Sequence, residues 1–290
     1  KAADLPRVSG SDDTVDATDA VIRNLKGHGI DCLVAIGGDD TLGYAYTLHS
    51  RGFPVIGIPK TMDNDVRGTE YALGFATALT RSVDFINRQR THIGSNELVG
   101  VFRVFGRNAG FTSLGTAMAV SDLRCAIPEH AFDLEALCKL VAEDHRSNES
   151  HYALVVVSEG AMWKGGKLEE YGEPDGYGHR KKMDVGRQLA QEITRITKLP
   201  TRPQDLTYDL RSGDPDPFDR IVATTFGALA VELLAQGTTG RMLAIQNGLY
   251  THAPLPDAAR GARTIDVPAS YDTQRFRPRF DARLGKPIFS

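Results

Sequence analysis

Four aspartates fall in two short clusters, Asp39 and Asp40 within GGDDT at 37–41, and Asp63 and Asp65 within KTMDND at 60–65. Glycines that close a hydrophobic strand and open a helix make a phosphate cradle, because unpaired backbone N–H groups and the positive end of the helix dipole attract anions. Carboxylates beside such a cradle repel a phosphate unless something positive or protonic stands between them. Magnesium supplies the charge: it takes one or two carboxylates, keeps water and bridges substrate phosphates. Phosphoryl transfer uses that arrangement together with an aspartate that accepts the proton of an attacking hydroxyl. One aspartate then serves the metal and another is the base. Alone, KTMDND reads equally well as an Asx-rich turn, since Asp and Asn bond their own backbone. Placed one strand after GGDDT, the phosphoryl-transfer reading takes precedence.

The elements that must position these groups follow from short apolar runs alternating with helical patterns, the signature of an α/β fold with largely parallel sheets. Runs at 32–36, 54–58, 98–105, 153–157 and 242–245 read as strands, and 14–25, 41–48, 72–87, 134–144, 185–197 and 219–235 as helices. Polar clusters follow four of the strands: Gly37 to Thr41, Pro59 to Asp65, Gly106-Arg107, and Ser158-Glu159-Gly160. In open α/β sheets ligands bind beyond the carboxyl ends of the strands, so four clusters at four ends predict one shared site. From about residue 250 the chain reads as irregular and rich in proline and arginine. Its RFRPRF run at 275–280 predicts a tail packed on the folded body in preference to a surface for stacking nucleic acid.

Composition narrows the partner. The 290 residues are 41% hydrophobic and 24% charged, with a formal net charge of -3. That balance fits a globular chain and lacks the basic bias of a nucleic-acid binder. No apolar run approaches the ~20 residues of a membrane span. Three widely spaced cysteines, Cys32, Cys125 and Cys138, predict reduced thiols in a cytoplasmic protein. Eight histidines without HExxH or paired spacing argue against zinc. The opening KAADLPRVSG has neither the charged nor the apolar region of a signal peptide. The expected partner is a small molecule, not a nucleic acid or a membrane.

GGDDT, PKTMDND, Gly106-Arg107, SEG at 158–160, and PFDR followed by a helix and GRMLAIQNG resemble the phosphofructokinase family, in order and at matching intervals, over roughly residues 30–250. GGDxT is shared with NAD kinases and lipid kinases, whereas PKTxDND after it is specific. The resemblance implies two Rossmann-like lobes with the active site in the cleft between them. The donor lobe would comprise residues 1–74 plus about 210–260, and the sugar-phosphate lobe 75–209 plus about 261–290. It also implies Mg2+, transfer to the 1-hydroxyl of fructose 6-phosphate to give fructose 1,6-bisphosphate, and a homodimer or homotetramer. Asp39 resembles the magnesium ligand and Asp63 the base, with Thr61 touching substrate and Asp65 the metal. Gly38, Asp39, Asp40, Thr41 and Lys60 fall at the donor. Met62, Phe105, Gly106, Arg107, Glu159, Tyr208 and Arg211 fall at the sugar, with Glu159 on a hydroxyl and Arg211 on the 6-phosphate. Arg202 resembles an arginine contributed by a neighbouring subunit.

Asp40 and Lys60 stand where ATP-using members carry glycine, and together they resemble the signature of pyrophosphate-dependent members. A Lys about 4 Å from a phosphate oxygen contributes ~4 kcal/mol at an effective dielectric near 20, before desolvation, and an Asp opposes the α-phosphate of ATP by a comparable amount. Pyrophosphate, with no third phosphate and no ribose, escapes most of that repulsion. Pyrophosphate is therefore the expected donor in a readily reversible reaction. An ATP-dependent 6-phosphofructokinase and a non-catalytic sugar-phosphate-binding regulatory subunit are the alternatives. Three departures stand against the family pattern. Its opening strand and GGDxPGxN loop have no counterpart before residue 30, which leaves open a segment outside these residues or a fragment. An arginine expected nine residues before Arg107 falls on Leu98, with Arg90 or Arg103 as substitutes. Tyr208 replaces a histidine common in bacterial members, and can still donate a hydrogen bond.

Overall fold

The computed structural model describes residues 16–167, 170–174, 181–182 and 184–281. Residues 1–15 of the expected donor lobe, including the first two of its expected first helix, lie outside the described residues, as do 282–290 of the tail. In chain order the elements are α1 (Thr18–Gly27), β1 (Leu33–Gly37), α2 (Asp39–Ser50), β2 (Val55–Pro59), α3 (Phe75–Ser95), β3 (Val99–Val104), α4 (Phe111–Ala119), β4 (Leu123–Ala126), α5 (Leu134–Ser147) and β5 (Ala153–Ser158). There follow β6 (Glu170–Tyr171), β7 (Lys181–Lys182), α6 (Val185–Thr197), β8 (Thr201–Asp205), α7 (Pro217–Ala235), β9 (Arg241–Gln246), β10 (Leu249–Pro254), α8 (Val267–Ser270), β11 (Tyr271–Asp272) and β12 (Arg277–Pro278).

Two four-stranded sheets organise these elements. The first runs β1-β2-β9-β10, parallel throughout except for β10, which returns antiparallel beside β9. The second runs β4-β5-β3-β8 and is wholly parallel. The fold is mixed α/β with largely parallel sheets, as the alternation of apolar runs predicts. In β2 and β5 every residue is buried, and in β3 every residue but Arg103. Such continuous apolar runs belong to strands covered on both faces.

Packing explains how the sheets face one another. Leu42, Ala45 and Leu48 of α2 close a core over the first sheet with Phe53, Val55 and Met242. A larger core runs from Ile56 and Ile58 through Phe75, Ala78 and Ile86 of α3 to Val101, Phe102 and Val155 of the second sheet, with Val222 and Phe226 of α7 in the same cluster. The helices α3 and α7 thus bind the two sheets together, and the carboxyl ends of both sheets contribute loops to one cleft.

Several elements escape sequence reading, β8, β4, α4 and β10 among them. The strand β8, TRPQD, is polar and carries Pro203, which an edge strand tolerates and an inner one does not. The strand β4 is only four residues, and α4 starts from Gly110 without a side-chain cap. The stretch after residue 250 is not irregular at first: β10 continues to Pro254 because it pairs with β9. Farther on, Phe276 is buried and its carbonyl accepts the Cys125 N–H at 2.8 Å, so this part of the tail packs on the second sheet. All three cysteines are free thiols. Among the described residues no helix is long and apolar enough to cross a membrane.

Candidate active site

The first sheet presents the acidic side. Strand β1 ends at Gly37, and Gly38 is the N-cap of α2, so Asp39 and Asp40 occupy the first turn at its positive end. A Cβ on Gly37 would lie 2.4 Å from the Thr41 Cβ, so the chain turns here only because glycine leaves room. The Lys60 N–H donates to the Gly37 carbonyl at 2.8 Å, tying the loop after β2 to the loop after β1. Lys60 is exposed.

Asn64 builds the next turn. It is buried, adopts a left-handed backbone (φ 53°), donates from Nδ2 to the Glu70 carbonyl at 2.9 Å and accepts the Ala72 N–H at 2.8 Å. The two readings of KTMDND therefore coexist: Asn64 makes the Asx-type structure, which leaves Asp63 and Asp65 for other work. Asp63 accepts nothing at Oδ1, which is closed to solvent. Burial, then Asp65 and Glu159, push its carboxyl up to about 7, against the pull of Arg211 and Arg107. Burial, then Asp39, push Asp65 up to about 6, and Arg263 opposes the rise. Asp39 is raised as well, by burial and then by Asp40. Asp39, Asp63 and Asp65, partly withdrawn from water and each beside another carboxylate, hold protons or a cation.

The donor chemistry fits magnesium. Among the described residues no group of three or more His, Cys, Asp or Glu could hold a metal. That set would suit a protein-caged ion, whereas magnesium accepts one or two carboxylates and completes its shell with water and phosphate oxygens. Asp39, close enough to Asp65 to raise the proton affinity of Asp65, supplies with it hard oxygen ligands of that kind.

The second sheet presents the basic side. Gly106 at the end of β3 has φ 130° and a Cβ there would sit 2.5 Å from the Ala109 carbonyl. A Cβ on Gly160 would come within 1.9 Å of the Arg107 carbonyl, so both glycines are required for the loops after β3 and β5 to touch. The Gly160 N–H donates to Gly106 at 3.1 Å and the Glu159 N–H to Val104 at 3.0 Å, which seats Arg107 beside Glu159. The Thr112 hydroxyl at the start of α4 donates to the Met62 carbonyl at 3.0 Å and joins the two sides. Arg211 closes a 3-10 turn at 209–211, with its guanidinium over the Phe105 ring and Nε at 3.5 Å from the Met62 sulfur.

Between the sides lies a cleft of about 870 Å³ whose walls include Gly38, Lys60, Thr61, Met62 and Arg211. Asp63 is in electrostatic reach of Arg107, Glu159 and Arg211. Arg202 stands apart, exposed on the outer strand β8. Neither substitute for Leu98 reaches the cleft. Arg103 is ion-paired to Asp205 at 3.1 Å and approaches Asp184 at 3.8 Å, while Arg90 donates to the Tyr152 hydroxyl and the Ser121 carbonyl. The alternation along β3 already turns Arg103 to a different face from its buried neighbours.

Three supporting residues are not among the site residues expected from the sequence, although one of them, Asp219, falls within PFDR. Asp219, buried in the first turn of α7, accepts from the Tyr71 and Thr77 hydroxyls and from the N–H groups of Gly74 at 2.8 Å and Thr77 at 2.9 Å. Arg263 donates to the Asn64 and Glu70 carbonyls at 3.2 and 3.0 Å, and its own N–H holds the Asp65 carbonyl at 2.7 Å. Glu129 accepts the Gly110 and Ile265 N–H groups, fixing the start of α4. The signal for Asp219 is PFDR at a helix start; Arg263 and Glu129 carry none, because their partners are remote in sequence.

The family model described as phosphofructokinase matches residues 7–234. The pyrophosphate–fructose 6-phosphate 1-phosphotransferase of Thermoproteus tenax is 39% identical over 244 residues, covering 83% of this chain and 70% of that protein. The ATP-dependent 6-phosphofructokinase 3 of Streptomyces coelicolor is 34% identical over 249 residues, covering 84% and 73%. In fold, the chain is similar to the pyrophosphate-dependent phosphofructokinase of Marinobacter aquaeolei, with a TM-score of 0.76 at 22% identity over 96% of this chain and 72% of that one.

Proposed function

The chain belongs to the phosphofructokinase family, and on that premise we propose that it moves a phosphoryl group from pyrophosphate to the 1-hydroxyl of fructose 6-phosphate, giving fructose 1,6-bisphosphate and phosphate. The observation that carries the donor assignment is the pairing of Asp40, in the first turn of α2, with Lys60 on the loop whose N–H is bonded to Gly37 at 2.8 Å. An acid at the mouth of the phosphate cradle disfavours a longer polyphosphate, and a lysine beside it favours a short one.

In this reading the first sheet and α7 form the donor lobe and the second sheet the sugar lobe. Asp63 accepts the proton of the 1-hydroxyl on its carboxylate, and returns it in the reverse direction. Lys60 balances charge on the departing phosphate. Arg107, Glu159 and Arg211 orient the sugar, with Arg211 on the 6-phosphate. Magnesium on Asp39 and Asp65 supplies charge neutralisation at the donor phosphates when bound. Arg202, exposed on β8, serves a neighbouring copy in a homodimer or homotetramer, and the protein works in the cytoplasm. The similar ATP-dependent relative supports a second reading in which ATP is the donor.

Phosphorus NMR of fructose 6-phosphate, pyrophosphate and magnesium with the full chain tests the proposal. It predicts new resonances of a C1 phosphoester and inorganic phosphate, and their reversal on adding excess phosphate. Free phosphate without a new phosphoester would mean hydrolysis and would contradict the assignment.

A further inference from the structure

Arg211 has an unusual support for a cation facing a cleft. Among the described residues it makes no ion pair. Its guanidinium carbon instead lies 4.0 Å from the centroid of the Phe105 ring and 5.8 Å from that of Tyr208. The two rings meet edge to face, 5.7 Å apart with their planes at 87°, so they form a corner around the cation. Phe105 is anchored at the end of β3 with 9% of its surface exposed, whereas Tyr208 is 76% exposed and covers the outer side. The turn itself is fixed by Leu210 N–H to Leu206 and Arg211 N–H to Tyr208, at 3.1 and 3.0 Å.

A carboxylate partner would hold the guanidinium equally well, but it would occupy the same N–H groups that an anion needs. Aromatic faces attract the cation without using those donors. They also restrict a side chain with large rotamer freedom before any ligand arrives, which lowers the ordering cost of binding.

We infer that Phe105 and Tyr208 are positioning residues that hold Arg211 by their ring faces as a ready receptor for the substrate phosphate remote from the transfer, and that Tyr208 acts through its ring and not through its hydroxyl. The inference rests on the sugar-phosphate reading of Arg211 and adds to it how the arginine is held and which property of two neighbouring side chains sets the affinity.

The test uses the full chain with Phe105→Leu, Tyr208→Leu and Tyr208→Phe, reading calorimetric Kd for fructose 6-phosphate together with KM and kcat. Phe105→Leu should raise Kd and KM about tenfold and Tyr208→Leu about threefold, the larger loss at the more buried ring. In both, kcat should stay within about twofold, because the phosphate held by Arg211 takes no part in the transfer. Tyr208→Phe, which keeps the ring, should lose less affinity than Tyr208→Leu. Equal losses in Tyr208→Phe and Tyr208→Leu would assign the effect to the hydroxyl and overturn the inference, as would unchanged affinity in both leucine variants. Should Phe105→Leu impair folding, shown by thermal melting, the exposed Tyr208 pair decides alone. Should fructose 6-phosphate prove not to be the substrate, the reaction proposed above fails by itself, and Kd for inorganic phosphate in the same variants decides whether the rings hold the arginine.

Discussion

The loops beyond β1 and β2 and the 3-10 turn beyond β8 wall one cleft, yet they treat charge in opposite ways. On the first side Asp39, Asp63 and Asp65 are shielded and crowd one another, and their carboxyls are all raised. On the second side Arg211 is exposed and supported by aromatic faces. Shielding makes groups that exchange a proton or demand a cation, which is the equipment of chemistry. Exposure with rigid support makes a receptor that need not be desolvated to be held in place. On the proposed reading the difference separates bond-making from recognition within a single site, with Arg211 and Arg107 still acting on the Asp63 carboxyl.

The largest effect belongs to the acidic side. Asp63→Asn keeps the shape and removes the proposed base, so kcat should fall by 10² to 10⁴ while KM for the sugar phosphate changes little. Steady-state kinetics checks this, and an unchanged kcat would move the base elsewhere. Next in size is the seam between the sides. Asp219→Ala leaves the donors of Tyr71, Gly74 and Thr77 without their acceptor. It should cost ~3 kcal/mol in denaturant unfolding, an amount expected when several buried donors lose their partner. On the basic side, Arg211→Leu should raise KM for the sugar phosphate about 10- to 100-fold, the range of a charge-assisted hydrogen bond, with kcat nearly preserved. A kcat loss as large as that of Asp63→Asn would break the division.

A further effect, on stability against pH, sharpens the contrast in sign. Asp63 and Asp65 have folded-state values near 7 and 6 in place of 3.8, so between about pH 4 and 7 the folded chain holds more protons than the unfolded one. Stability of the magnesium-free protein should therefore decline as pH rises through that window and level off above it. Denaturant midpoints at pH 5 and 8 measure this, and Asp63→Asn should flatten the trend.

Much of this arrangement is legible in the chain itself, and the parts that are not have physical reasons. Buried parallel strands announce themselves as apolar runs, and the loops that follow β1, β2, β3 and β5 are where polar clusters interrupt them. Edge strands are different: β8 and β10 are defined by their neighbours' hydrogen bonds and not by their own side chains. At the site, Asp39, Lys60 and Asp63 are visible because the roles proposed for them are local to a motif. Lys60 is exposed, however, so its contribution lies nearer the ~1 kcal/mol of water than the ~4 kcal/mol assigned from sequence. The support of Arg211 by Phe105 and the clasp of Arg263 on the loop of Asn64 join segments remote in sequence, which no local pattern encodes.

The central claim is that the acidic side selects the donor, and one measurement tests it most directly: initial rates with fructose 6-phosphate and magnesium, comparing pyrophosphate with ATP on the full chain. The account predicts turnover with pyrophosphate and little or none with ATP. Turnover with ATP and not with pyrophosphate would show that Asp40 and Lys60 set no barrier to the nucleotide, and would contradict it.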